Sequence, residues 1–245
     1  MSGFDITAVV NLHAEGSLAH ATLRSLSRAR VYGENRGLRI EVLAVLDRPS
    51  AATVGFLQAC TLDYCTSVQV SFGDLGRARN HAVEIAHGEW ITFLDGDDLW
   101  AENWLATAYA AAASDPRPII WHPLALIMFG ARSYLFTHID MEDDDFEVAG
   151  LALQNLWSAQ SFARRELYAS VPFPATDRQR QLGYEDWGWN LETVAKGYLH
   201  KSVPGTANGC RKKDQGSLLQ KTAASRAMPN PTILFRDMVQ SRSGK

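Results

Sequence analysis

The sequence is poor in cysteine, close to balanced in charge and short of long apolar runs, and each shortage removes a class of protein. Cys60, Cys65 and Cys210 are its only cysteines; they are odd in number, lack Cys-x-x-Cys spacing and have no clustered histidines beside them. A disulfide scaffold and a structural zinc site are therefore not expected, and reduced thiols of a cytoplasmic protein are. Lys and Arg number 24 against 27 Asp and Glu, a net charge of −3. That leaves no basic excess to track a nucleic acid or an anionic membrane, so any phosphate contact must be local. The longest oily stretch, IIWHPLALIMFG, is broken by His122 and Pro123 and is shorter than the roughly 20 residues of a membrane span. The start, MSGFDITAVV, lacks the basic flank and cleavage site of a secretory signal.

What is present is a repeating strand–helix pattern. With 245 residues, 46% of them hydrophobic, the chain can bury one substantial core. Apolar runs at residues 6–12, 40–46, 67–72 and 90–94 read as buried strands. Between them lie helical segments at residues 17–31, in AATVGFLQAC and in DLGRARNHAVEIAHG. Connections this short between strands imply helical crossovers, hence a parallel sheet with helices on both faces. A further helix, AENWLATAYAAAAS, stops at Asp115-Pro116, and two strands are predicted beyond it, at residues 119–122 and 124–129. DMEDDDFE reads as a solvated loop, and EDWGWNLETVAKG as a helix whose apolar face is Trp187, Leu191, Val194 and Ala195. One domain over residues 1–221 is expected, followed by a tail, 222–245, in which PTILFRDMV docks back or stays loose.

In such sheets, ligands bind beyond the carboxyl ends of the strands. Asp47 and Asp95 fall at such ends, and Glu15 lies just past another. The sharpest feature is GEWITFLDGDDLW, which places Asp95, Asp97 and Asp98 directly behind an oily strand. Like charges that close repel, so a positive group must join them, and a hard divalent cation, Mn²⁺ or Mg²⁺, is the first candidate. Gly96 is read as permitting an unusual backbone angle that turns Asp95 and Asp97 toward one cavity. Glu185 and Asp186 open a helix, where acidic residues also serve the helix dipole.

In this order, FDITAVVNLHAEGSLAHATLRSL, IEVLAVLDRPS, GDLGRARNHAVEIAHGEWITFLDGDDLW and FARRELYASVPFP…GYEDWGWNLETVAKGY resemble successive signatures of the inverting GT-A-fold, family 2 nucleotide-sugar glycosyltransferases. The resemblance implies an α/β GT-A fold and transfer of a sugar from a nucleotide-diphosphate donor, a UDP-sugar by the family's habit, to a hydroxyl of a glycan or other acceptor. It implies that Glu15, Asp47, Arg79 and Asp95 meet the donor nucleotide. Asp97, with Asp95, would hold the metal, and Asp186 would be the base, with Glu185 and Trp187 in acceptor or supporting roles. Two departures stand out. Asn11-Leu12-His13-Ala14 replaces the proline and aromatic that usually end the first strand, leaving His13 as the nearest substitute for base stacking. Late in the chain, CRKKDQGS carries Lys213 where the family has a histidine, so Arg211 and Lys213 are candidate diphosphate contacts. The competing readings are a degenerate domain that binds nucleotide-sugar or glycan, a nucleotidyltransferase, a dinucleotide oxidoreductase lacking its GxGxxG loop, and a two-carboxylate glycoside hydrolase using Asp95 and Asp186.

Overall fold

The first apolar run becomes β1 (Phe4–Leu12), whose side chains alternate between two cores. The computed structural model describes residues 3–60, 62–177, 179–215 and 218–234. From β1 the chain passes through a short 3-10 turn, Gly16–Leu18, into α1 (Ala19–Glu34), β2 (Ile40–Asp47), α2 (Ala51–Ala59), β3 (Thr66–Val70), α3 (Leu75–Ile85), β4 (Gly88–Asp95) and α4 (Trp104–Ser114). Ser50 and Asp74 cap α2 and α3 by accepting from the backbone N–H of Thr53 and Arg77. β1 lies between β2 and β4, and β2 pairs with β3, all in parallel.

The second half is β5 (Ile119–Gly130), β6 (Tyr134–Thr137), β7 (Phe162–Arg164), α5 (Arg165–Ser170), α6 (Glu185–Ala195), β8 (Leu199–Lys212) and α7 (Leu218–Ala224). The eight-stranded sheet runs β3-β2-β1-β4-β7-β5-β6, with β8 pairing β5. β7 is antiparallel to β4 and β5, β6 is antiparallel to β5, and β8 runs parallel to β5. The two strands expected at residues 119–122 and 124–129 are one continuous strand, because a register shift between Pro123 and Ala125 absorbs the proline's missing donor.

Ile6, Ala8, Val10 and Leu12 of β1 pack with Leu23 and Leu26 of α1 and Trp104 of α4. Val9, Ile91 and Phe93 pack on the other face with Ala78 and Ala82 of α3, Tyr168 of α5 and Trp189 of α6. This is the two-residue period of strands covered on both sides. α6 departs from its expected single apolar stripe. Its buried residues are Glu185, Gly188, Trp189, Asn190, Leu191 and Thr193, while Trp187 and Val194 are half-buried against a third cluster around Leu151 and Trp157. A helix packed on two sides shows no one stripe. In the acidic loop, Lys201 pairs with Asp140 and Glu142, and Arg117 also pairs with Glu142. The start of the expected tail docks on the body: Met228 exchanges backbone hydrogen bonds with Gln181 and Gly183, and Thr232 is buried. The rest of PTILFRDMV, from residue 235 on, lies outside the described residues. Among the described residues no helix is long and apolar enough to cross a membrane.

Candidate active site

β1, β2 and β4 end on one rim of a cavity of about 1770 Å³, whose lining includes Asn11, Glu15, Asp47, Asp95, Asp97, Asp186 and Lys213. The three clustered aspartates each reach different partners. Asp95 Oδ1 accepts from Arg79 at 2.8 Å, and Asp97 Oδ2 lies 2.8 Å from Lys213 Nζ. Asp98 turns inward, accepting from the backbone N–H of Arg211 at 2.7 Å and from Gln160 Nε2 at 3.1 Å. Gly96 is required for a reason other than the expected one. It has no left-handed backbone angle; a Cβ there would stand 2.8 Å from the carbonyl oxygen of Asn11 and 2.7 Å from Leu12 Cδ2, so the turn is pressed against the end of β1.

Burial first, then the charges of Asp95 and Asp97, pushes the Asp98 carboxyl up to about 7. Because folding raises this pKa, the folded chain binds the proton more tightly, and stability is lost as pH rises from the ordinary carboxylate range to about 7. Asp98→Asn should flatten the stability–pH curve over that window by up to the ~1.4 kcal/mol per pH unit that one proton contributes. Urea titrations at several pH values measure the slope; an unchanged slope would show that Asp98 is already ionised in the fold.

Arg79 of α3 is fully buried beneath the rim. Its NH1 donates to Glu185 Oε1, 106 positions further along the chain, at 2.9 Å and its NH2 to Asp95, so one guanidinium ties the end of β4 to the start of α6. Its two terminal nitrogens thereby meet protein carboxylates, while its buried Nε has no hydrogen-bond partner among the described residues. Burial opposes its charge, but Asp95 and Glu185 hold it protonated, above its ordinary value. Burial, then the neighbouring Asp186, pushes Glu185 up to about 7 against the pull of Arg79. Burial also raises Asp186. Tyr184, just before them, sits in the left-handed region at φ 56°, a strain of about 1–3 kcal/mol that sets the angle at which the acidic pair enters the site.

Asp186 Oδ2 accepts from Asn155 Nδ2 at 3.1 Å, and Asn155 Oδ1 accepts from Asn190 at 2.8 Å. Nothing in LQNLWSAQSF singles out Asn155 or Gln160 as site residues. Trp187 donates its ring N–H to the carbonyl of Leu151. At the other end, both oxygens of Asp47 accept from the backbone N–H groups of Gly73 and Asp74, so Asp47 closes the loop before α3. Glu15 accepts from the backbone N–H of His13, whose Nδ1 is 2.7 Å from the carbonyl of Asp47. Asn11 lines this end; its amide N and O are buried and have no partner among the described residues. A buried amide without partners in a cavity wall calls for a ligand, an ion or a water to satisfy it. Arg211 lies over the Phe129 ring, and its Nε is 3.3 Å from the carbonyl of Asp97.

For a divalent cation, Asp95 and Asp97 each keep a second oxygen beyond the one given to Arg79 or Lys213. Two carboxylates, phosphate oxygens and water suit a hard cation, so the residues fit, provided Lys213 leaves Asp97. Among the described residues no group of three His, Cys, Asp or Glu is arranged around one point for a metal.

The profile of the family described as glycosyl transferase family 2 matches residues 7–168, more than half of the chain. The chain belongs to glycosyl transferase family 2. The matched stretch of this family 2 chain holds Glu15, Asp47, Arg79, Asp95 and Asp97 and stops before Glu185, Asp186, Arg211 and Lys213. Its fold is that of the GT-A glycosyltransferases. S. aureus TarS 1-349, solved with UDP-GlcNAc, superposes with a TM-score of 0.67 at 17% identity, covering 88% of this chain and 60% of TarS 1-349. The mannosyltransferase PcManGT from Pyrobaculum calidifontis, solved with GDP-Man and Mn²⁺, gives 0.64 at 18% identity, covering 93% of this chain and 66% of its own. GalNAc-T7, solved with UDP, GalNAc and Mn²⁺, gives 0.61 at 15% identity, with 86% and 44% covered. This family 2 chain thus spans about 60% of the length of TarS 1-349. No curated protein sequence matches it.

Proposed function

We propose that this domain transfers a sugar from a nucleoside-diphosphate donor, preferably a UDP-sugar, to a hydroxyl of a glycan or other acceptor, with inversion. The supporting observation is that Arg79 joins Asp95 of the rim to Glu185, and so brings the adjacent Asp186 to the same cavity. At about 1770 Å³ the cavity exceeds the roughly 300–1,000 Å³ of a single small-ligand pocket, enough for donor and acceptor together. The UDP preference rests on TarS and GalNAc-T7, both solved with uridine nucleotides, against GDP-Man in PcManGT.

In this reading Asn11 and Glu15, with the loop held by Asp47, receive the nucleoside, and Asp95 and Asp97 face the diphosphate. Asp186 removes the acceptor's proton while that oxygen attacks the anomeric carbon, and the bond to the diphosphate oxygen breaks with its electron pair. Lys213 and Arg211 stand near enough to Asp97 to balance the departing charge. Asp97, with Asp95, would hold Mn²⁺ or Mg²⁺, whose contribution is further neutralisation of the leaving diphosphate.

Calorimetry with UDP, GDP and dTDP tests the donor half. One of them should bind, and chelation should weaken it; if all three fail with Mn²⁺ present, the transferase reading has no basis. Asp97→Asn should lower metal-supported affinity by about 10–100-fold or more, since loss of an outer-shell partner of a ligand alone costs metal sites about that much. Asp47→Ala should weaken the nucleotide through its loop and leave metal binding alone.

A further inference from the structure

The crowding of Asp95, Asp97 and Asp98 calls for a positive partner, and the chain supplies one. Lys213 Nζ lies 2.8 Å from Asp97 Oδ2, and the Asp97 side chain is only 14% exposed. This lysine is not a free surface group. It follows β8, which exchanges two backbone hydrogen bonds between Gly209 and Leu99. Two residues before it, the N–H of Arg211 is fixed to Asp98 at 2.7 Å. The backbone that carries the ammonium is thus tied to the turn that carries its carboxylate.

We propose that Lys213 and a divalent cation are mutually exclusive partners of Asp97, so that Lys213 is the resident cation of the diphosphate site when metal is absent. A metal ligated at about 2.0–2.2 Å leaves no room for an ammonium at hydrogen-bond distance on the same oxygen, and the two charges repel. The flexible four-carbon stem lets the ammonium swing instead to a phosphate oxygen. Metal and diphosphate then help each other in, because the diphosphate draws the lysine off the carboxylate that the metal needs. The diphosphate half of this inference rests on the proposed function; the competition for Asp97 does not.

Mn²⁺ binding to the full chain without nucleotide, followed by the electron paramagnetic resonance of free Mn²⁺, is the test. Lys213→Met, which keeps length and loses charge, should bind Mn²⁺ about 5- to 10-fold more tightly than the wild type, and Lys213→Arg should stay near the wild type. In EDTA, UDP should bind Lys213→Met about 5- to 10-fold more weakly than the wild type. Equal Mn²⁺ affinity in wild type and Lys213→Met overturns the inference. So does the absence of Mn²⁺ binding by Lys213→Met, since an Asp97 freed of its lysine is then no metal site. If the Mn²⁺ difference is found while UDP, GDP and dTDP fail to bind in any form, the competition stands and the transferase reading falls.

Discussion

Replacing Arg79 by methionine should cost about 3–5 kcal/mol of folding stability, a large part of the roughly 5–15 kcal/mol that holds a domain together. The size follows from what is left behind. Methionine keeps an apolar stem but loses the guanidinium that lies over the Phe93 and Phe173 rings, and it abandons Glu185, a buried carboxylate paired with that guanidinium. Asp95 suffers less, its side chain being 35% exposed and able to hydrate. Adding Glu185→Gln removes the stranded charge, so the double variant should be more stable than Arg79→Met alone, the coupling expected of a buried pair. Arg79→Lys should fall between, because one ammonium cannot reach two carboxylates as a fork of nitrogens does. Urea unfolding of the four proteins decides the matter: an Arg79→Met chain as stable as wild type would mean that the pair is solvated and contributes nothing.

Much of the front half of the fold is visible in the sequence because its strands are buried on both faces and its helices carry simple stripes. The parallel strands β1, β2 and β4 are near-continuous apolar runs, and Asp47 and Asp95 mark two of their ends. β8 is not visible. Its sequence, LHKSVPGTANGCRK, holds Pro204, Gly205 and Gly209 and buries little beyond His200, Val203, Thr206 and Asn208, so its pairing to β5 is written in backbone hydrogen bonds rather than in hydrophobic period. Missing β8 conceals what it holds in place: the inward turn of Asp98 and the approach of Lys213 to Asp97. The same limit applies to Arg79, whose partners lie 16 and 106 positions away. A cluster of like charges announces that cations are needed; only the fold says which ones, and here two of the three carboxylates meet cations of the chain itself.

The largest effect on transfer is expected at Asp186. Asp186→Asn preserves size but removes the carboxylate proposed to take the acceptor's proton, so transfer should fall by about 10²-fold or more while nucleotide affinity changes little. Folding should survive, since the lost interaction with the start of α6 is worth roughly 0.3–1 kcal/mol. Glu185 cannot serve as a matched control, because removing its charge unbalances Arg79. Asn155 can. Its amide donates to Asp186 Oδ2 at 3.1 Å and so favours the charged form of the base. Burial raises Asp186, so the acid limb of the pH–rate profile, where the base gains its proton, should lie above the ordinary carboxylate range. Asn155→Ala removes a bond to the ionised form and should move that limb to still higher pH, with a rate loss well short of the 10²-fold expected of Asp186→Asn. Single-turnover transfer of a radiolabelled sugar, to an acceptor or to water when none is supplied, reads both variants. An Asp186→Asn enzyme that transfers at the wild-type rate would remove Asp186 as the base, and an acid limb that Asn155→Ala leaves in place would mean that the base titrating in the profile is not the group Asn155 touches.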